Sequence, residues 1–175
     1  MPDFANLHYN LLAMSNRPAR AVIGILLLLA CVCACNLPSD HALITRFGEK
    51  REELERIRQM IDDDNLEGRI HADYAYPKVS RSRLEEYRSL LRDAGVIRLW
   101  AHGKSKPFEL MVNGTGFLAQ GDYKGYLYDP APQTPGAPSL DDSCFATAKV
   151  PDTQRSCSAV RSLGNGWWLV RYEYR

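Results

Sequence analysis

Residues 82–101, SRLEEYRSLLRDAGVIRLWA, contain the change of periodicity that decides the fold. In the first half, one helical face is apolar and carries Leu84, Tyr87, Leu91 and Ala94. Ser82 with Glu85 three residues later forms a capping box, which predicts the start of this helix, and Gly95 predicts its end. After Gly95 every second residue is apolar, beginning with Ile97 and Leu99, so a strand is expected to follow the helix directly.

The alternation of apolar residues continues to the end of the chain. It predicts strands at residues 97–101, 108–112, 117–119, 123–128 and 167–174. Residues 113–116, Asn-Gly-Thr-Gly, are interpreted as a hairpin turn, and the four prolines in residues 130–138 predict a loop. In the last strand we expect Trp168, Val170, Tyr172 and Tyr174 on one face and Trp167, Leu169, Arg171 and Glu173 on the other.

A second amphipathic helix is predicted upstream, at residues 42–61. Its apolar residues recur at spacings of three, four and seven: Leu43, Phe47, Leu54, Ile57 and Ile61. Ser39 or Asp40 can cap its start, and the three acidic residues 62–64, followed by Asn65, are expected to end it before Gly68. Because helices come first and strands after, the sequence predicts an α+β fold with two N-terminal helices packed on an antiparallel sheet of about five strands.

The composition is that of an ordinary globular domain with an additional segment. The chain has 175 residues, 45% of them hydrophobic and 25% charged, and its formal net charge is +1. Disordered, collagen-like and coiled-coil proteins are excluded by these values, and no overall attraction to nucleic acid is expected. Residues 42–175 are predicted to form a single domain.

The additional segment is the apolar stretch at residues 21–35. Arg17 and Arg20 precede these fifteen uncharged residues, which is the order found in secretion signals. A membrane-spanning helix needs about 20 apolar residues, so an exported signal fits this length better than a span. Met14 is favoured as the initiator because residues 1–13 contain no Lys or Arg.

The end of this stretch, Leu28-Leu29-Ala30-Cys31, resembles the lipobox of bacterial lipoproteins. The resemblance implies that residues 1–30 are a signal peptide, that Cys31 carries the lipid and that residues 31–41 form a tether. Cys35, which follows Ala34, is the alternative lipidation site. The partner implied is the membrane, contacted through two or more acyl chains that together anchor stably.

Two further expectations concern location and charge. Val32 follows Cys31 where lipoproteins retained in the inner membrane tend to have Asp, so the resemblance favours the outer membrane, with the domain facing the periplasm. Without residues 1–35 the chain loses Arg17, Arg20 and Asp3, and 20 basic and 20 acidic side chains remain. This neutrality argues further against a nucleic-acid partner.

The remaining cysteines divide into two groups. Cys144 and Cys157, separated by twelve residues, are predicted to form a disulfide in an oxidising compartment. Cys33 and Cys35 stay undecided: they can pair with each other, pair with the distal cysteines or remain as thiols.

No enzyme motif is present in the sequence. Zinc-protease, nucleophile-elbow, P-loop and dinucleotide patterns are missing, and no catalytic residue, metal site or cofactor is predicted. His71, Asp73 and His102 are the nearest approach to a catalytic or metal set, and we interpret them as ordinary surface residues. His41, His71 and His102 all precede Cys144 and Cys157, which is the reverse of the Cys-then-His order in the cysteine peptidases of the cell wall.

Aromatic residues are the strongest functional signal in the domain. Packing explains most of them, but a sheet with one solvent face would expose some. The candidate binding residues are Trp100, Tyr126, Trp167, Trp168 and Tyr172. The leading hypothesis is a lipid-anchored, non-enzymatic envelope domain that binds another envelope protein as an accessory or immunity-type factor. The alternative is a small envelope hydrolase or a glycan-binding module that uses the aromatic sheet face.

Overall fold

Amphipathic helices build the first layer of the domain. The computed structural model describes residues 37–71, 79–117, 120–130, 137, 139–147 and 154–175. Helices α1 (Asp40–Glu49) and α2 (Arg51–Asp64) follow each other directly, and α3 (Arg81–Asp93) comes after the first strand. The Ser39 hydroxyl caps α1 by accepting a hydrogen bond of 3.2 Å from the backbone N–H of Ala42, as one of the two predicted caps.

The single upstream helix that was predicted is two helices in the structure. The chain leaves helical geometry at Lys50, whose φ and ψ are −111° and 19°. Gly48, two residues earlier, is a weak helix former, and the spacing of seven between Phe47 and Leu54 suits both a continuous and a broken helix. At the far end, Asn65 adopts the left-handed conformation and caps α2, so the predicted end before Gly68 is confirmed.

The ends of α3 confirm one prediction and correct another. Gly95 has a φ of 67°, and its N–H donates to the carbonyl of Arg92, which terminates the helix as expected. The N-terminal cap is Ser80, whose hydroxyl accepts from the N–H of Arg83 at 3.2 Å. Ser82, the predicted cap, lies inside the helix and its hydroxyl contacts that of Ser80.

The second layer is a six-stranded, fully antiparallel sheet, and the coarse α+β prediction is therefore confirmed. Its strand order is β1-β2-β3-β4-β6-β5. The strands, with the short helix α4 that precedes β5, are β1 (Glu67–His71), β2 (Arg98–His102), β3 (Phe108–Phe117), β4 (Gln120–Tyr128), α4 (Cys144–Thr147), β5 (Ser156–Gly164) and β6 (Trp167–Tyr174).

The sheet differs from the prediction at three places. β1 and β5 were not predicted, because both are edge strands with few apolar side chains. The predicted turn at residues 113–116 and Phe117, the first residue of the strand predicted at residues 117–119, are part of β3, which has a bulge between Met111 and Asn113. Residues 118–119 lie outside the described residues. A Cβ on Gly114 would overlap only the flexible end of the Met111 side chain and would lie 3.1 Å from the Cβ of Tyr123. Gly114 and Gly116 pair with β4, so they belong to a strand and not to a turn.

The hydrophobic core lies between the helices and one face of the sheet. Phe47 of α1 packs between two sheet aromatics, with ring centroids 5.5 Å from Tyr126 and 5.6 Å from Trp167. The predicted division of β6 into two faces is confirmed, since Trp167 and Leu169 belong to this core. The opposite face of the sheet, which carries Trp100, Trp168 and Tyr172, is the outer face.

Hydrogen bonds join the two layers as well. Tyr126 donates to the carbonyl of Leu43, and the Trp167 indole donates to Glu55, each at 2.9 Å. Within the described ranges, no helix has the length and apolar character needed to cross a membrane.

Candidate interaction surface

The outer face of the sheet carries most of the exposed aromatic surface of the described domain. Side chains of alternate residues on β2, β3, β4 and β6 point to this face because strand residues alternate between faces. Arg69 on β1 shares this face with Trp100. The side chains of the outer face include those of Arg69, Arg98, Trp100, His102, Glu109, Met111, Tyr123, Trp168, Tyr172 and Tyr174.

Trp100 is an exposed aromatic side chain of this face, with 38% of its surface accessible to solvent. Arg69 is its cross-strand neighbour on β1, and the guanidinium carbon lies 4.1 Å from the centroid of the indole ring. His102, two residues along β2, lies 5.1 Å from the same ring. Trp100 is therefore held between polar neighbours while its remaining surface faces solvent.

Tyrosines form a second cluster farther along the outer face. The rings of Tyr123 and Tyr172 are stacked at 4.8 Å, and Tyr174, 43% exposed, stacks beyond Tyr123 at 6.5 Å. The hydroxyls of Tyr172 and Tyr123 donate to the two carboxylate oxygens of Glu109, at 2.8 and 3.3 Å. Both oxygens of Glu109 are thus engaged by phenols.

The tyrosines of this cluster are held in their neutral form. Burial raises the pKa of Tyr172 above its ordinary value of 10.0, and the nearby Glu109 carboxylate raises it further. The pKa of Tyr123 is raised by the same two causes. At neutral pH both phenols therefore act as hydrogen-bond donors.

Between these clusters and the β5 edge lies a small apolar patch. Leu127, Val160 and Val170 are buried there, and Trp168 and Tyr172 pack against them. The indole N–H of Trp168 donates to the carbonyl of Asp129 at 2.7 Å, which fixes the ring. Trp168 is only half-buried and contributes to the surface.

The five predicted binding residues do not all lie together. Trp100, Trp168 and Tyr172 share the outer face, whereas Tyr126 and Trp167 are completely buried in the core. Tyr126 pairs with Leu169 across β4 and β6, so its side chain points toward the helices. Because a fully buried ring offers no contact area, Tyr126 and Trp167 are corrected to core residues.

The histidines considered as a catalytic or metal set do not converge. Glu67 pairs with His102 and Arg98 pairs with His71, so the two histidines lie four residues apart along the β1–β2 ladder, or roughly 13 Å. Asp73 lies outside the described residues, as do Cys31, Cys33 and Cys35. His71 lines a small cleft with residues of α3, but His102 does not, so the two described histidines do not converge in a common site.

The predicted disulfide between Cys144 and Cys157 is present. Their Cα atoms are 6.2 Å apart, and the bond joins α4 to β5. Glu173 lies beside the sulfurs, and these three residues are the potential metal ligands that come close together in the described part of the chain. Because both sulfurs are used by the disulfide, they are not available as thiolate ligands.

A buried ionic cluster on the core side of the sheet was missed by sequence reasoning. Lys124, 1% exposed, contacts Asp40 at 2.9 Å and Asp141 at 2.6 Å. Next to it on β6, Arg171 contacts Asp122 and also donates to two backbone carbonyls in residues 140–141.

This ionic cluster has a structural role. Lys124 does not face solvent, so its amine cannot reach a substrate, and the cluster fixes α1 and residues 139–143 to the sheet. A signal was present in the sequence: in the strand Tyr123 to Tyr128, Lys124 occupies the same face as the core residue Tyr126.

No protein-family model, curated protein or solved structure matches this chain. The function is therefore argued from the residues and their geometry alone.

Proposed function

We propose that this protein is a lipid-anchored component of the bacterial cell envelope whose outer face binds another envelope protein, without catalysing a reaction. The anchor is proposed from the sequence, where residues 21–35 and the lipobox ending at Cys31 resemble a lipoprotein signal. Cys35 is the alternative anchor. The absence of Asp after Cys31 favours the outer membrane, with the domain in the periplasm.

The exposed Trp100 with its neighbour Arg69 is the observation that carries the binding proposal. Trp, Tyr and Arg are the residues that most often dominate protein–protein binding energy, and all three types lie on this one face. Flat strands hold them in place, so little conformational entropy is lost when a partner binds.

The same geometry favours a protein over a glycan as the ligand. A sugar ring stacks on the flat face of an aromatic ring, and one face of Trp100 is already covered by the Arg69 guanidinium. The glycan alternative keeps the exposed Tyr174 as its supporting observation. Among the described residues, His71 and His102 do not converge, so the hydrolase alternative has no supporting observation there.

Site-specific photo-crosslinking in cells tests the binding proposal. A benzophenone amino acid placed at position 100 of the full-length protein is expected to give one discrete adduct with an envelope protein. The matched control is position 97, because Ile97 is 44% exposed but lines a shallow cleft with Leu91 and Arg92 of α3. Equal adducts at both positions, or no adduct at position 100, would contradict the proposal, and binding of wall fragments would then favour the glycan or hydrolase alternative.

The anchor is tested separately by mass spectrometry of the mature N-terminus. We expect a peptide that begins at Cys31 and carries acyl chains, and Cys31→Ser should release the protein from membranes while Cys35→Ser should not. An intact segment 14–30 on the mature protein would refute signal cleavage. Lipid on Cys35 would assign the anchor to the alternative site.

A further inference from the structure

We infer that the partner contributes an acidic segment to the outer face, and that Arg69 and Arg98, which both neighbour Trp100, bind its carboxylates. This inference rests on the proposed function and specifies the chemistry of the partner. It follows from how the arginines of the described domain are paired.

Arginines on the helices are mostly neutralised by carboxylates. Five of them on α2 and α3 form ion pairs of 2.8–3.1 Å: Arg51, Arg56, Arg58, Arg83 and Arg88. These pairs connect helical turns and neighbouring helices, so they belong to the internal structure of the domain.

The arginines around Trp100 are arranged differently. The Arg69 guanidinium lies over the indole ring, 4.1 Å from its centroid, and Arg98 donates to the sulfur of Met111 at 3.0 Å. A thioether is a weak acceptor that leaves the other guanidinium donors available. Neither arginine has a carboxylate within ion-pair distance in the part of the chain that the structure describes.

A carboxylate is present nearby but is occupied by other donors. Glu109 is the cross-strand neighbour of Trp100 on β3, yet its two oxygens accept hydrogen bonds from Tyr172 and Tyr123. The tyrosines therefore occupy the acceptor oxygens of Glu109, which keeps its negative charge but forms no direct ion pair with Arg69 or Arg98 in the described part of the chain. The remaining guanidinium donors stay available to an incoming carboxylate.

Guanidinium groups beside an exposed indole suit a peptide that carries both carboxylates and apolar side chains. The planar guanidinium binds a carboxylate through two parallel hydrogen bonds, and Trp100 supplies apolar contact beside the two arginines. An anionic membrane is less suitable, because recognition of its surface usually needs a cluster of 4–8 basic residues. The surface is thus assigned to an acidic protein segment.

Selection of peptides tests the inference on the full-length lipidated protein in detergent micelles. A displayed library of random twelve-residue peptides is enriched on the protein and depleted on the Trp100→Ala variant. We expect the selected peptides to be richer in Asp and Glu than the library. Replacing their acids by Asn and Gln should weaken binding roughly tenfold or more, as the loss of a charged hydrogen bond predicts.

Variants of the protein give the matching result. Arg69→Gln and Arg98→Gln should each weaken binding of a selected peptide roughly tenfold. Arg92→Gln, which changes an exposed arginine on α3, should leave binding unchanged. Selected peptides without acid enrichment, or equal affinity in all three variants, would overturn the inference.

Two controls separate this inference from the alternatives. Vesicles containing phosphatidylglycerol should not displace a selected peptide more than phosphatidylcholine vesicles do, and displacement would assign the surface to the membrane and overturn the inference. The crosslink at position 100 is repeated in the Arg69→Gln/Arg98→Gln background. An adduct that persists there at full yield leaves the proposed function standing and refutes the acidic partner, whereas no adduct even with both arginines present refutes the proposed function.

Discussion

At the scale of single residues, Lys124 shows how a charge can stabilise a core. Its amine is buried between the carboxylates of Asp40 and Asp141, and Asp40 also accepts from the backbone N–H of Leu140 at 2.7 Å. Each charge therefore has its partners, and the cluster joins α1, β4 and the segment before α4.

We predict that Lys124→Met destabilises the domain by about 3–5 kcal/mol, because it leaves the buried Asp40 without its principal countercharge. The measurement is urea denaturation at pH 7. The double variant Lys124→Met/Asp40→Asn should recover part of the loss, since the unpaired charge is then removed. A single variant as stable as the wild type would show that the cluster contributes nothing to folding.

Two glycines give a matched pair of opposite predictions. A Cβ on Gly125 would overlap the carbonyl oxygen of Leu110 in the adjacent strand, whereas one on Gly48 meets nothing within 4 Å. Gly125→Ala should therefore destabilise by about 1–3 kcal/mol through overpacking. Gly48→Ala, in helix α1, should stabilise by about 1 kcal/mol.

Thermal and urea unfolding of both variants measure this pair. Gly125→Ala with unchanged stability would mean that β3 and β4 can separate locally without loss. Gly48→Ala with reduced stability would mean that the break at Lys50 depends on a weak helix end.

At the scale of elements, the disulfide holds α4 against the sheet. Phe145 of α4 packs beside Cys144 and Cys157, and the Arg175 guanidinium lies 3.9 Å from the Phe145 ring. The loop closed by the disulfide spans 13 residues, so the chain-entropy model gives a stabilisation of about 3 kcal/mol.

Cys144→Ser/Cys157→Ser should therefore lower the free energy of unfolding by about 3 kcal/mol, and reduction of the wild type with dithiothreitol should lower it equally. Denaturation curves in both conditions measure the effect. If both thiols of the unreduced protein react with a maleimide, the disulfide is not formed in the isolated protein and the prediction fails.

The elements also show which parts of the fold the sequence could predict. Helix α3 was predicted because its apolar residues follow a period of 3.6 over more than two helical turns. Strand β6 was predicted because its residues follow a period of 2 over its whole length of eight residues. β5 carries exposed serines at positions 156, 158 and 162, and only pairing with β6 makes it a strand. The backbone hydrogen bonds of β5 are made with β6, and the pattern of apolar residues within β5 does not indicate this pairing.

The candidate surface, like the fold, could be predicted only in part from the sequence. Alternation places Trp168 and Tyr172 on one face and Trp167 on the other, but only the helices decide which of those faces is buried. The pairing of Arg69 with Trp100 depends on the register of β1 and β2, which no local pattern encodes.

At the scale of the whole molecule, side chains of the helices and the sheet are joined by polar contacts at both ends of the core. Glu55 of α2 accepts from the Trp167 indole and from Arg58, at 2.9 and 2.8 Å. At the other end, Asp141 accepts from Lys124. The outer face is thus backed by a sheet whose other side is fixed to the helices.

These contacts make stability depend on pH in the acid range. Desolvation by itself would raise the pKa of Glu55, but hydrogen bonds from Arg58 and Trp167 outweigh it and lower the pKa below its ordinary value of 4.5. Desolvation would also raise the pKa of Asp141, but the hydrogen bond from Lys124 outweighs it, so this pKa lies below its ordinary value of 3.8.

Because both carboxyls have lower pKa values in the folded state than in the unfolded chain, the unfolded chain binds more protons in acid. Stability should therefore be constant above about pH 5 and fall as the pH drops through the folded-state pKa values.

Glu55→Gln removes one titrating group while keeping an acceptor for Trp167, so it should be less stable at pH 7 and should lose less stability between about pH 5 and pH 2. Glu52→Gln, at an exposed position on the same helix, is the control and should follow the wild-type profile. Urea midpoints measured across this pH range decide the matter, and parallel profiles for Glu55→Gln and the wild type would exclude Glu55 as a source of acid sensitivity.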